Sequence, residues 1–161
     1  MGHSITALLL RGLVDEDAAR EWDVEVVPLA QGISLVHVTH YSSAVWQFRR
    51  GRHGALDVPA GVPPTFPTEA VLLDLAAALA PGPFAVIQTD YFGGVGDQWA
   101  CLYDALGRRD PAVHTINDAL RGLGVRRTVS FDEFDAAGLG DHRHTPERLD
   151  QYEVLCDELG L

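Results

Sequence analysis

The stretch that decides the fold is residues 84–106, FAVIQTDYFGGVGDQWACLYDAL. Residues 84–91 start with an apolar run and continue with alternating apolar and polar residues, which is typical of a β-strand. Residues 98–106 are predicted to form a second strand that pairs with it. Three glycines lie between them, at positions 93, 94 and 96. Glycine adopts left-handed backbone conformations at little cost. The segment therefore predicts an antiparallel hairpin in which the glycines form a wide turn or a bulge.

Strand and helix patterns continue on both sides of this hairpin. Apolar runs predict further strands at residues 4–11, 24–29, 33–38 and 128–131. Helical spacing predicts helices at residues 15–22, 40–50 and 68–80. Two more helices are predicted from their start signals, one beginning at Asp110 with Pro111 and one at Thr145 with Pro146. Four prolines and three glycines in residues 51–67 predict a long loop.

Hairpin strands mixed with separate helices favour an α+β fold over a regular βαβ repeat. We expect one domain over residues 1–161, with an antiparallel or mixed sheet covered by about four helices. Helical spacing puts Phe48 on the same side of its helix as Ala44 and Val45, and Leu159 on the same face of the last helix as Cys156. The expected core residues are Val71, Leu75, Leu79, Val113, Ile116, Leu120, Leu149 and Cys156.

Charge and composition exclude several classes of function. The formal net charge is −11, so the chain repels polyanions, and we predict neither a nucleic-acid partner nor a membrane partner. Residues 130–161 hold nine acidic residues and two arginines, which indicates a solvated acidic face or a docking surface for a basic partner. All twelve basic residues are arginine, which excludes chemistry that needs a catalytic or phosphate-binding lysine.

The two cysteines indicate a reducing environment. Cys101 and Cys156 are far apart in the sequence and form no metal-binding spacing. We expect buried free thiols, a cytoplasmic location and no cofactor.

The glycine-rich end of the hairpin is the first candidate binding site. Its GVGDQW run starts like a dinucleotide fingerprint, but Trp99 replaces the third glycine, so the match fails. One interpretation is a purely structural turn. The other is a binding patch with Tyr91 and Trp99 partly exposed near two acids, because aromatic residues are frequent in recognition surfaces. The predicted patch comprises Asp90, Tyr91, Gly93, Gly94, Gly96, Asp97, Gln98 and Trp99.

The motif YFGGVGDQ at residues 91–98, together with INDAL at residues 116–120, carries a family resemblance. It resembles the signature of a family of small uncharacterised bacterial proteins, some of which are similar to immunity proteins that accompany toxins. The resemblance implies a shared fold and a shared surface patch. It implies no catalytic residue.

Two further clusters are weaker candidates. His142 and His144, with either Asp141 or a distant Asp90, are a candidate three-ligand metal site, although histidines in a polar loop are usually ordinary surface residues. The other cluster lies next to Trp46 and Phe48 and is a candidate anion site, although it also fits a solvated helix end. It comprises Arg49, Arg50 and Arg52.

No complete catalytic motif is present in the sequence. The favoured prediction is a non-catalytic module of the immunity or regulatory type that binds a protein partner, and a basic partner would suit the acidic face. The alternative is a small hydrolase or metal-dependent enzyme that uses His142, His144 and Asp90.

Overall fold

A computed structural model describes residues 2–60 and 68–161, and it contains a five-stranded antiparallel sheet. The strands are β1 (His3–Arg11), β2 (Val27–Pro28), β3 (Ile33–His37), β4 (Phe84–Phe92) and β5 (Val95–Tyr103). Their order across the sheet is β2-β3-β1-β4-β5. The helices within the described residues are α1 (Glu16–Glu21), α2 (His40–Arg50), α3 (Glu69–Leu79), α4 (Ile116–Gly122), α5 (Glu133–Ala137) and α6 (Gln151–Leu159). The predicted α+β fold is confirmed.

The predicted hairpin is present as β4 and β5. The two strands pair antiparallel from Phe84 opposite Tyr103 to Phe92 opposite Val95. The prediction of a wide turn or bulge is wrong, because only Gly93 and Gly94 make the turn. Their φ angles of 60° and 80° are both left-handed, and such a two-residue turn matches the natural twist of the strands.

The helix predicted to begin at Asp110 starts later. Helix α4 begins at Ile116, and Thr115 accepts a hydrogen bond from the Asp118 backbone N–H as its N-cap. The preceding segment lies along β5 instead. Asp110 N–H donates to Leu102 O at 2.8 Å, and Ala100 N–H donates to His114 O at 3.0 Å. These main-chain bonds to the sheet edge replace the first helical turns.

Other differences from the sequence-based expectations are local. Residues 128–131 form a turn, since the Thr128 hydroxyl accepts from the Ser130 and Phe131 N–H groups, and the edge-strand prediction is wrong. The strand predicted at residues 24–29 is reduced to β2. Phe48 is 55% exposed and Leu159 is 40% exposed, although each shares a helix side with buried residues. The predicted loop is irregular over residues 51–60, and residues 61–67 lie outside the described part.

The chain divides into two compact units. The first comprises residues 1–37 and 76–145, and in it α4 packs on the sheet over a core that includes Ile87, Ala100 and Leu120. The second comprises residues 38–75 and 146–161, where Val45 of α2 packs against Tyr152 of α6. All eight core residues named for burial are buried: Val71, Leu75, Leu79, Val113, Ile116, Leu120, Leu149 and Cys156.

Both cysteines are buried free thiols, as the sequence predicted. Among the helices of residues 2–60 and 68–161, none combines the length and the apolar character that crossing a bilayer requires.

Candidate functional site

The far end of the β4–β5 hairpin presents two different surfaces. Successive side chains of a strand point to opposite sides of a sheet. Ala85 and Ile87 lie in the core under α4, so Tyr91, four positions further along β4, is on the same side. Its neighbour Asp90 is on the other side.

The side away from α4 carries two exposed cross-strand pairs, which we call the open face: Asp90 with Asp97, and Phe92 with Val95. Phe92 is 82% exposed and Val95 is 79% exposed. In the described part of the chain, neither carboxylate has an ion pair or hydrogen bond to its side chain. Like charges directly opposite each other destabilise a strand pair. This arrangement therefore costs stability, and a positively charged group from outside would relieve it.

Trp99 lies on the same side of the hairpin but is only 4% exposed. Its indole N–H donates to Gln88 Oε1 at 2.7 Å across the strand pair. The expectation that Trp99 is an exposed part of the binding patch is wrong. A buried indole with its N–H satisfied is a structural residue.

The opposite side of the hairpin end borders a cavity of about 400 Å³ within the first unit. Tyr91, Gly94 and Gln98 of the predicted patch line it. The patch is therefore split between the cavity and the open face. Gly96 faces this side within β5, where a Cβ atom would collide with the main chain at Asp90 and Tyr91.

His3 of β1 forms one wall of the cavity and is 7% exposed. Its Nδ1 is 2.7 Å from the Thr89 hydroxyl and its Nε2 is 3.1 Å from Leu139 O. A carbonyl only accepts, so Nε2 carries the proton, and the Thr89 hydroxyl donates to Nδ1. That hydroxyl oxygen in turn accepts from the Ile5 N–H at 3.2 Å. The imidazole of His3 is therefore neutral, and each of its two ring nitrogens has a hydrogen-bond partner.

Burial is the main cause that lowers the pKa of His3 below its ordinary value. The hydrogen bond to Leu139 O opposes this shift. The positive charge of Arg143 and the nearby imidazoles of His144 and His142 lower the pKa further. At neutral pH the His3 wall of the cavity is therefore uncharged.

A hydrogen-bonded clamp forms another part of the lining. Asn117 of α4 donates from Nδ2 to Asp132 Oδ2 at 3.1 Å and accepts from Phe134 N–H at 2.9 Å. Asp132 also caps α5 by accepting from Asp135 N–H at 3.0 Å. The hydrogen bonds from Asp135 and Asn117 lower the pKa of Asp132, so its carboxylate stays ionised. Phe134 lies beside the His3 ring, with 5.4 Å between the ring centroids.

The histidine segment does not form the predicted metal site. His144 and Asp90 lie on opposite edges of β1, because each is the neighbour of Ser4. Within residues 2–60 and 68–161, no group of three or more His, Cys, Asp or Glu side chains could hold a metal ion. Of this segment it is Arg143, between His142 and His144, that reaches the cavity.

The arginine cluster lies in the second unit and does not converge on one point. Arg52 forms an ion pair with Asp74 at 3.0 Å. The guanidinium groups of Arg49 and Arg50 lie 5.3 Å and 5.7 Å from the centre of the Trp46 ring. This arrangement fits the solvated helix end.

Sequence reasoning did not identify the cavity, whose members come from four separate parts of the chain. Its unrecognised residues are His3, Asn117, Asp132, Phe134, Asp135, Gly140 and Arg143. Asn117 lies in the INDAL motif at residues 116–120, and this was the one available signal.

In comparisons with known proteins, no protein-family model, curated protein or solved structure matches the chain.

Proposed function

We propose that this protein is a non-catalytic module that binds a basic protein partner through the open face of its β4–β5 hairpin. The observation that carries the proposal is the exposed pairing of Phe92 with Val95 next to Asp90 and Asp97. Single exposed apolar residues are common on protein surfaces, but an aromatic–aliphatic pair beside two charges resembles the centre and rim of an interface.

Charge complementarity favours a basic partner. The two carboxylates oppose each other without an ion pair in the described residues, and the chain as a whole carries −11. A lysine or arginine of a partner would relieve the local repulsion, and the overall charge would steer its approach. An immunity or regulatory role in a bacterial cytoplasm fits these properties, the free buried thiols and the family resemblance.

Site-specific photo-cross-linking in cells tests this surface. A photo-reactive amino acid replaces Val95 in one variant and Val129, which is also fully exposed, in a matched control. We expect a defined cross-linked protein of basic isoelectric point at position 95 and not at position 129. The adduct should disappear when Asp97→Arg is added. Identical adducts at both positions, or no adduct at position 95, would contradict the proposed surface.

The alternative function, a small hydrolase or metal-dependent enzyme that uses His142, His144 and Asp90, has no supporting side-chain cluster in the described residues. Metal analysis of the purified protein separates the two functions. Stoichiometric zinc or iron that is lost on a His142→Ala and His144→Ala double substitution would favour the enzyme.

A further inference from the structure

The cavity on the other side of the hairpin has the size and composition of a small-molecule site. Its volume of about 400 Å³ is at the lower end of the range for ligand pockets, roughly 300–1,000 Å³. The His3 and Phe134 rings lie against each other on one part of the lining, and polar side chains form the rest. All of these residues belong to the first unit.

Four polar side chains that line the cavity have no partner in the described residues: Tyr91, Gln98, Asp135 and Arg143. Arg143 and Tyr91 are half-buried, so part of their hydration is already lost. The backbone of Arg143 is held in place, because its carbonyl accepts from Ser4 N–H at 2.7 Å. The Asp132 carboxylate is held in place by hydrogen bonds from Asn117 Nδ2 and from the Asp135 N–H, and each of its oxygens can accept one more.

The charges of the lining select the ligand chemistry. Asp132 and Asp135 contribute two negative charges and Arg143 contributes one positive charge, so the net charge of the cavity is −1. His3 adds none at neutral pH. A complementary ligand carries one carboxylate for Arg143, two cationic groups for the aspartates and a net charge of +1. Phosphate compounds do not fit, because the two aspartates repel their multiple negative charges.

We propose that this cavity binds a free basic α-amino acid. The guanidinium of Arg143 binds its carboxylate in the bidentate geometry that arginine favours. Asp135 and Asp132 bind the ammonium group and the cationic end of its side chain, and the methylene groups pack on Phe134. Tyr91 and Gln98 donate or accept the remaining hydrogen bonds at the rim. This inference does not depend on the proposed protein partner, which contacts the open face.

Titration calorimetry with L-arginine and L-lysine on the intact protein tests the proposal. We expect saturable binding of at least one of them, with agmatine, which lacks the carboxylate, at least about tenfold weaker. L-glutamate, which reverses the net charge, should not bind. If neither L-arginine nor L-lysine showed saturable binding up to about 10 mM, the inference would be overturned, because even a weak millimolar affinity would be detected at that concentration. Equal affinity for agmatine and L-arginine would overturn the role of Arg143.

Matched variants locate the site. Arg143→Met and Asp135→Asn should each weaken binding by about tenfold or more, since each removes one charge-assisted contact. The controls are Arg126→Met, an exposed arginine away from the cavity, and Asp141→Asn, an exposed acid of the neighbouring turn that does not line it. Both controls should bind like the original protein. Equal losses in variants and controls would show binding elsewhere, which contradicts the site.

The two proposals fail separately. Asp97→Arg on the open face should leave amino-acid affinity unchanged, and Arg143→Met should leave the cross-link at position 95 unchanged. If the cross-link forms but no basic amino acid binds, the cavity inference alone is wrong. If a basic amino acid binds but no cross-link forms, the proposed partner surface alone is wrong.

Discussion

The two sides of the β4–β5 hairpin end use one stretch of main chain to present opposite kinds of surface. The open face exposes Phe92 and Val95 and places two carboxylates directly opposite each other, neither of which has an ion pair within the described residues. The cavity side places Tyr91 and Gln98 next to a preformed hydrogen-bonded wall. The first suits a large charged partner that covers it from outside, and the second suits a small ligand that fills it. The difference shows that a patch that is continuous in sequence can be two sites in the fold.

The largest expected effect concerns Gly96, which faces the cavity side within β5. Gly96 has φ of 157°, and an added Cβ would collide with the carbonyl of Asp90 and the Cα of Tyr91. We expect Gly96→Ala to lower the free energy of unfolding by about 4 kcal/mol, because rigid main chain must move. Gly93→Ala, at φ of 60° with open space around it, should cost only about 1 kcal/mol. Urea unfolding measures both, and equal losses would contradict the strand geometry.

The next prediction compares the hydrogen-bonded Asn117 with a lining side chain that has no partner in the described part of the chain. Asn117→Ala removes a hydrogen bond to the Asp132 carboxylate and leaves the Phe134 N–H without its acceptor. We expect a loss of about 2 kcal/mol in unfolding free energy. Gln98→Ala, which lines the same cavity without a partner in the described residues, should change stability little. If Gln98→Ala lowered the unfolding free energy more than Asn117→Ala did, Gln98 would be a structural residue of the lining and not a group kept for the ligand.

The pH dependence of stability should report the buried imidazole on the cavity side. The folded protein lowers the pKa of His3, whereas the unfolded chain binds a proton near pH 6.5. The unfolded state therefore binds more protons as the pH falls through about 6.5, and stability should decrease between about pH 7.5 and 5.5. In His3→Gln this slope should be smaller, as measured by urea midpoints across the range. An unchanged slope would show that His3 does not resist protonation.

A smaller effect is expected on the open face, with the opposite sign. Asp97→Asn removes the repulsion between the two opposed carboxylates, so the urea midpoint should rise slightly at low salt. The gain should vanish at high salt, because exposed charges are screened. A loss of stability at low salt would mean that Asp97 has a stabilising partner. Asp157→Asn on α6 removes one negative charge at another site and is the control for the change in net charge.

The local features of this end of the hairpin were predictable, but its two-sided arrangement was not. Alternating residues around the glycines identified β4 and β5, since strand periodicity and turn chemistry act over a few residues. Trp99 was misplaced because burial depends on what covers a strand, which is a tertiary property. Asp110 was read as a helix start, but backbone bonds to β5 outcompete the first helical turns. The cavity joins residues as distant as His3 and Arg143, and no local pattern connects them.

The measurement that tests the central claim most directly is the rate at which this protein associates with the partner that was cross-linked at position 95. The claim is that Asp97 on the open face steers and contacts a basic partner. We expect Asp97→Arg to reduce the association rate by about tenfold or more at low salt while circular dichroism shows an intact fold, since reversed charge opposes steering. Asp141→Arg carries the same change in net charge at another exposed site and should reduce the rate only slightly. Equal rates for the two variants would contradict the claim.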